Sequence, residues 1–444
     1  MDFTPHTGHD LRVMLGRLGL EEPADLFAHL PEAARLHRPL HLPPGMPEPD
    51  LQRWVGELAA ANRSGLVCFA GGGFYDHYLP PVVRSLTLRP EFVTSYTPYQ
   101  PEVSQGVLQA LYEFQSMVCA LTGLDVANAS LYDGATAGVE AVNLAVGATG
   151  RDLVWVSRGV SPRTRETIAT LAAARGIEVV EHPLVGGRTA WVADSPGEPA
   201  AVIMAQPNYL GVIESYGEAV EVARQRGALA VTQVDPMMLG MLRSPGSAGF
   251  DVAFAEGQPL GNPLSFGGPV VGLFATSMEH VRRLPGRLVG KTVDRQGRTA
   301  YVLTLRAREQ DIRREKAASN ICTNQSLNAL AAAIHLAWLG PKGLRDVGDR
   351  SVQKAHYLAR RLNEMAGVKL ANRAPFGREF AVLLPGEPDE VVLAMAERGY
   401  LAGIPLPDDY RELPGGLLVA VTERRARAEL DGYAQALQEV LADG

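Results

Sequence analysis

Lysine is nearly missing from this chain. None occurs in the first 290 of 444 residues, and only Lys291, Lys316, Lys342, Lys354 and Lys369 follow, so arginine supplies most of the 42 basic side chains. Chemistry that needs a side-chain amine in the first 290 residues is thereby excluded. Cysteine is scarce too: Cys68, Cys119 and Cys322 form no CxxC pair and no even framework of bridges, which fits a reducing cytoplasm. The ten histidines include no HExxH, so no metal centre is expected. No apolar run approaches a membrane span, and residues 1–6 carry neither the basic cap nor the apolar stretch of a leader. A net charge of -7 argues against nucleic acid or an anionic membrane as a partner. The preference for arginine fits genome composition and heat adaptation equally.

What is present describes an α/β globule, 46% hydrophobic and too long for one core. Residues 1–62 read as short amphipathic helices broken by a proline cluster, Pro39-Leu-His-Leu-Pro-Pro-Gly45. Across 63–318, β-rich runs at 152–157, 177–180, 200–205, 228–232 and 250–255 alternate with helices expected at 162–175 and 215–226, which end at Gly176 and Gly227. Such alternation predicts a large domain with a mostly parallel sheet, covered on both faces. Residues 319–444 predict a small α/β domain: helices at 324–339 and 343–365, strands at 380–384 and 417–421, and a last helix at 423–441. The polar stretch 291–298 predicts an exposed loop.

Three segments carry candidate chemistry. In Asn128-Ala-Ser-Leu-Tyr-Asp-Gly-Ala-Thr-Ala-Gly138, a helix start at Gly134, Ala135 and Thr136 would present backbone N–H groups to an anion. Plain capping by Asp133 or Thr136 is the stronger explanation. Phe69-Ala-Gly-Gly-Gly-Phe-Tyr-Asp-His-Tyr78 has no Gly-Lys-Ser/Thr, which excludes a Walker site and leaves a tight turn or a close approach to ligand. In the segment 92–104, Pro98 and Pro101 prevent a regular helix and stiffen a loop rich in hydroxyls, with an amide and a carboxylate; such a loop suits substrate or a subunit interface. A helix from Glu102 should follow, with Val103, Val107, Leu111 and Phe114 on its buried stripe. In 319–325, Thr323 is expected as an N-cap and Cys322 as a small buried residue, while Arg313 and Arg314 are either solvated or close to a neighbour's anionic groups.

The strand–helix order resembles that of pyridoxal-phosphate (PLP) enzymes of the aminotransferase type, which hold the cofactor as an imine on one lysine. Where that lysine should sit, after the strand at 250–255, the chain reads Glu256-Gly-Gln-Pro-Leu260, and the amide of Gln258 cannot form an imine. Asp235 falls where such folds pair a carboxylate with the pyridinium nitrogen, although a polar strand end is the preferred reading. A self-sufficient enzyme using Lys291 is disfavoured, because that residue lies beyond a further strand, in a polar stretch.

Long strings then narrow the likeness: Thr97-Pro-Tyr-Gln-Pro-Glu-Val-Ser-Gln-Gly106, Asn128-Ala-Ser-Leu-Tyr-Asp-Gly134 and Ser319-Asn-Ile-Cys-Thr323. With residues 71–80, 256–269 and 306–323, they resemble the amino-terminal subunits of two-subunit glycine decarboxylases, the P-proteins of the glycine cleavage system. The resemblance implies PLP-dependent transferase fold type I, and a cofactor held by a homologous lysine-bearing subunit 2, not by this chain. It implies glycine as substrate, loss of its carboxylate as CO2, and transfer of the aminomethyl group to the lipoyl group of H-protein. By that analogy Ser95, Tyr96, Tyr99, Gln100 and Glu102 would wall the partner's active site. Asn320 and Thr323 would reach the partner's PLP phosphate, and Gly134, Ala135 and Thr136 would be a vestigial cradle, with Gln258 at the position of the missing lysine. The alternative is a non-catalytic scaffold that kept the fold.

Overall fold

Strands that are apolar along their whole length have both faces to bury, and this sequence buries them in one sheet. The structure is a computed structural model that describes residues 5–192, 195 and 197–443. Residues 1–4, on which the expected lack of a leader partly rests, lie outside the described residues. The chain divides into two units, Met1–Ser64 and Gly65–Gly444.

The first unit holds the helices Gly8–Leu18 and Glu48–Ala60. Thr7 caps the first: its hydroxyl accepts from the Asp10 N–H, and the Asp10 carboxylate accepts from the Thr7 N–H at 2.8 Å. Leu15 is buried, whereas Leu11, Met14, Trp54, Val55 and Leu58 are exposed.

In the second unit, among the described residues, a seven-stranded sheet runs in the order Val126–Ala127, Gly272–Thr276, Val252–Glu256, Leu229–Val234, Ala201–Gln206, Leu153–Ser157, Glu178–His182. Gly272–Thr276 is antiparallel to both of its neighbours, and the other pairings are parallel. Every residue of Leu153–Ser157, Ala201–Gln206 and Val252–Glu256 is buried, as helices on both faces require. Helices Pro162–Ala173 and Tyr216–Arg226 match the expected crossovers, and Gly227 closes the second in the left-handed region.

The expected boundary at 318/319 falls inside this unit. The two helices expected at 324–339 and 343–365 are both present within Ser326–Asn363, and they meet at a kink where Gly340 leaves helical geometry before Pro341. A four-stranded antiparallel sheet follows, with Glu379–Leu383 and Gly416–Ala420 at its centre. Helix Arg427–Asp443 packs beside it through Leu430, Tyr433 and Leu437. No helix among the described residues is long and apolar enough to cross a membrane.

Local expectations in three segments are corrected. The stretch 291–298 is not a loop throughout: Leu288–Val293 and Thr299–Thr304 form a hairpin. Its turn closes on the Asp294 carboxylate, which accepts from the backbone N–H groups of Gln296 and Arg298. The helix expected from Glu102 begins at Gln105, because Pro101–Val103 is a 3-10 turn and Val103 is exposed. Thr323 is not the cap of the long helix, a place taken by Gln325, and Cys322 is exposed rather than buried. The Tyr132 hydroxyl accepts from the Cys322 N–H at 3.1 Å and anchors the backbone there, while the thiol is left outside.

The large and small sheets meet tightly at Gly211, which has a φ of +79°. A β-carbon there would lie 1.8 Å from the Glu379 carbonyl oxygen. Gly211→Ala is expected to cost about 3 kcal/mol in urea denaturation, through both the clash and the backbone angle. A loss under about 1 kcal/mol would show that this junction yields freely.

Candidate active site

Parallel strands deliver their following residues to one edge, and in open α/β sheets ligands bind at that carboxyl edge. Here the edge receives Asn208, Asp235 and Glu256, and the glycine turn 71–73 meets it from the amino-terminal side. Gly72, Tyr75, Asn208, Asp235, Glu256 and Glu379 line a cleft of about 60 Å³. Pockets that take drug-sized ligands begin near 300 Å³.

The expected cradle at Gly134, Ala135 and Thr136 is the start of helix Gly134–Thr149, with Asp133 as its N-cap. The Asp133 carboxylate accepts from the Thr136 N–H at 2.7 Å, and Glu256 accepts from the Gly134 N–H at 2.9 Å. Two of the three donors that a phosphate would need are therefore held by carboxylates of this chain. The backbones are close as well: a β-carbon on Gly134 would lie 2.6 Å from the Glu256 nitrogen. Glu256 also accepts from the Gln258 N–H at 2.8 Å, yet burial pushes its carboxyl up to about 7.

Gln258 does not face the cleft as a free group. Its Oε1 accepts from the Tyr75 N–H at 2.9 Å, and its Nε2 donates to the carbonyls of Asn262 at 2.9 Å and Tyr75 at 3.3 Å. Asp235 forms an ion pair with Arg378 at 2.6 Å. Arg378 is buried, lies 3.6 Å from the centroid of the Tyr75 ring and meets His77, whose other ring nitrogen is 2.6 Å from Glu423. Glu379 accepts from the Gly72 N–H at 2.7 Å and the Tyr75 hydroxyl at 2.9 Å; burial pushes it, too, up to about 7.

Pyridoxal phosphate does not fit this cleft. An acid occupies the helix start that would take the phosphate, an arginine holds the carboxylate that would face the ring nitrogen, and no described lysine lines the space. Lys291 lies exposed on the hairpin. Among the described residues no group of His, Cys, Asp and Glu could hold a metal ion.

The other candidates lie elsewhere. None of Ser95, Tyr96, Tyr99, Gln100 and Glu102 lines the cleft. Tyr96 is 78% exposed, and Tyr99, Gln100 and Glu102 are exposed as well. Gln105 pins the loop by donating to the carbonyls of Pro101 at 2.8 Å and Tyr301 at 2.9 Å, so the hairpin braces it. Asn320 lines a separate hollow with Glu140 and Arg175, while the Thr323 N–H reaches the Tyr132 hydroxyl at 3.5 Å. Sequence reasoning missed Glu256, Glu379 and Arg378. The acid at the end of a buried strand, two residues before Gln258, was the available signal for the first.

The family model described as glycine cleavage system P-protein matches residues 1–437. The probable glycine dehydrogenase (decarboxylating) subunit 1 of Moorella thermoacetica is 47% identical over the full length of both chains. A crystal structure of glycine decarboxylase (P-protein) of the glycine cleavage system, in inhibitor-bound form, superposes with a TM-score of 0.91 at 48% identity, covering 99% of this chain and 100% of that one. Alanine–glyoxylate aminotransferase from Nostoc sp. shares the fold alone, with a TM-score of 0.60 at 17% identity over 92% of this chain and 98% of its own. With a PLP-dependent type I fold and this match along nearly its whole length, the chain belongs to the glycine cleavage system P-protein family.

Proposed function

We infer that this chain is the subunit without the imine-forming lysine in a two-polypeptide glycine decarboxylase, and that it completes a catalytic centre carried by a homologous, lysine-bearing partner. The observation that carries this reading is the carboxylate of Glu256 on the Gly134 N–H, in a cleft that no described lysine enters. PLP, bound by the partner subunit, supplies the electron sink for loss of CO2 from glycine. This chain's residues position and enclose. Ser95, Tyr96, Tyr99, Gln100 and Glu102, on a loop stiffened by two prolines, form a wall that orients glycine and excludes water. Asn320 and Thr323 reach toward the phosphate of the partner's cofactor, and the aminomethyl group leaves on the lipoyl arm of H-protein.

Exposed apolar side chains support a partner. Val93, Tyr96, Tyr99 and Val103 crowd the loop region, and the first unit leaves Trp54, Val55 and Leu58 uncovered. Borohydride trapping tests the division of labour. The chain alone, mixed with PLP and reduced, is expected to yield no lysine adduct, whereas the reduced complex carries one on the other polypeptide. An adduct on this chain, or glycine turnover by it alone, would overturn the reading.

A further inference from the structure

Tyr99 sits between two arginines. The guanidinium carbons of Arg287 and Arg306 each lie 5.1 Å from its ring centroid, and Arg287 Nη2 donates to its hydroxyl at 2.6 Å. Arg287 follows Gly286, whose φ of +68° turns the chain into the hairpin; Arg306 and Arg308 leave the hairpin at its other end. Arg308 donates to the Leu284 carbonyl and so closes the base. Residues separated by the whole hairpin thus arrive around one tyrosine.

These guanidinium groups are not satisfied. Arg287 is 3% exposed, yet its Nε and Nη1 are buried without an acceptor. Nε and Nη2 of Arg308 are in the same state. Arg306 has Asp311 at 3.3 Å, and Glu309 feels the charge of all three arginines, but its buried Oε1 takes a hydrogen bond from none of them. Buried donors are nearly always paired, so four such nitrogens on two neighbouring arginines call for an acceptor from outside this chain. The forked guanidinium matches the oxygens of a carboxylate or a phosphate.

We propose that Arg287, with Tyr99 against it, and Arg308 form a binding site for a small oxyanion, a carboxylate or phosphate group, at the face this chain turns to its partner's catalytic centre. The site rests on the proposed function above, which supplies two such groups: the carboxylate of glycine and the phosphate of the partner's cofactor. A carboxylate about to leave as neutral CO2 gains nothing in the transition state from a guanidinium that steadies its charge. Phosphate keeps its charge throughout, and is the expected occupant.

Two arms test this. With the full-length chain alone, inorganic phosphate should raise the melting temperature above that in chloride of equal ionic strength, and Arg287→Met and Arg308→Met should abolish the rise. In the assembled complex, the same variants should weaken PLP retention, read by absorbance after dialysis, by about 10-fold or more while glycine affinity stands. Arg287→Lys, which keeps the charge but loses the fork, should recover only part. A fall in glycine affinity with PLP retained assigns the site to the substrate carboxylate and also supports it. If phosphate does not stabilise the wild-type chain and neither constant moves in the complex, the oxyanion site is wrong. That result leaves the proposed function standing wherever glycine carboxyl exchange still requires both polypeptides.

Discussion

Tyr96→Ala and Glu102→Gln, each made in the assembled complex, are expected to slow exchange of the glycine carboxyl with bicarbonate by about 100-fold while assembly persists. Both side chains are exposed in this chain, so their truncation should leave its folding within about 0.5 kcal/mol of wild type. Any large loss must therefore arise where they meet something else. The proline-stiffened loop is braced through Gln105 against the hairpin, so it presents these groups without first having to be ordered. Positioning of this kind is sensitive to small displacements, which is why the expected effect is large. Wild-type exchange in an intact complex of either variant would reduce the chain to scaffold.

Glu379→Gln is expected to become more stable than wild type as pH rises. Burial raises the Glu379 carboxyl from an ordinary value near 4.5 to about 7. Between those values the folded chain holds a proton that the unfolded chain has lost, so this group's contribution is full below about pH 4.5 and disappears as pH passes 7. Glutamine is neutral throughout, and its amide can still accept from the Gly72 N–H and donate to Tyr75. The stability difference in favour of the variant should therefore grow by about 2–3 kcal/mol between pH 5 and pH 8, measured by urea denaturation at several pH values. The difference is the proper readout, since His335, which burial holds down to about 4, bends the wild-type curve the other way. A difference that stays flat, or shrinks with pH, would mean that Glu379 ionises in the folded chain without penalty.

Much of the fold was legible because the signals are local. Buried strands such as Ala201–Gln206 appear as unbroken apolar runs, and helix ends such as Gly227 need a left-handed residue. The hairpin at 288–304 was missed because its outer half is exposed and polar, so neither alternation nor an apolar run marked it. The break at Gly340 was marked by Pro341, and the two helices expected on either side of it are both there. At the site, the absence of lysine before position 291 was visible in the sequence, and the contacts that fill the cleft were not. Arg378 meets Asp235 from 143 positions away, and Glu379 reaches Gly72 from 307. Nothing in a local window announces such pairings. The proposed wall residues are a different case: Tyr96, Gln100 and Glu102 are exposed in this chain, and their assignment rests on resemblance alone.

The carboxylate lodged at the helix start also limits what a single substitution could achieve. A chain given an amine at position 258 would still meet an acid at the helix start where a phosphate would have to enter, and an arginine already clasping Asp235. Several further changes would be needed before such a chain could hold the cofactor alone, and each would disturb a buried network.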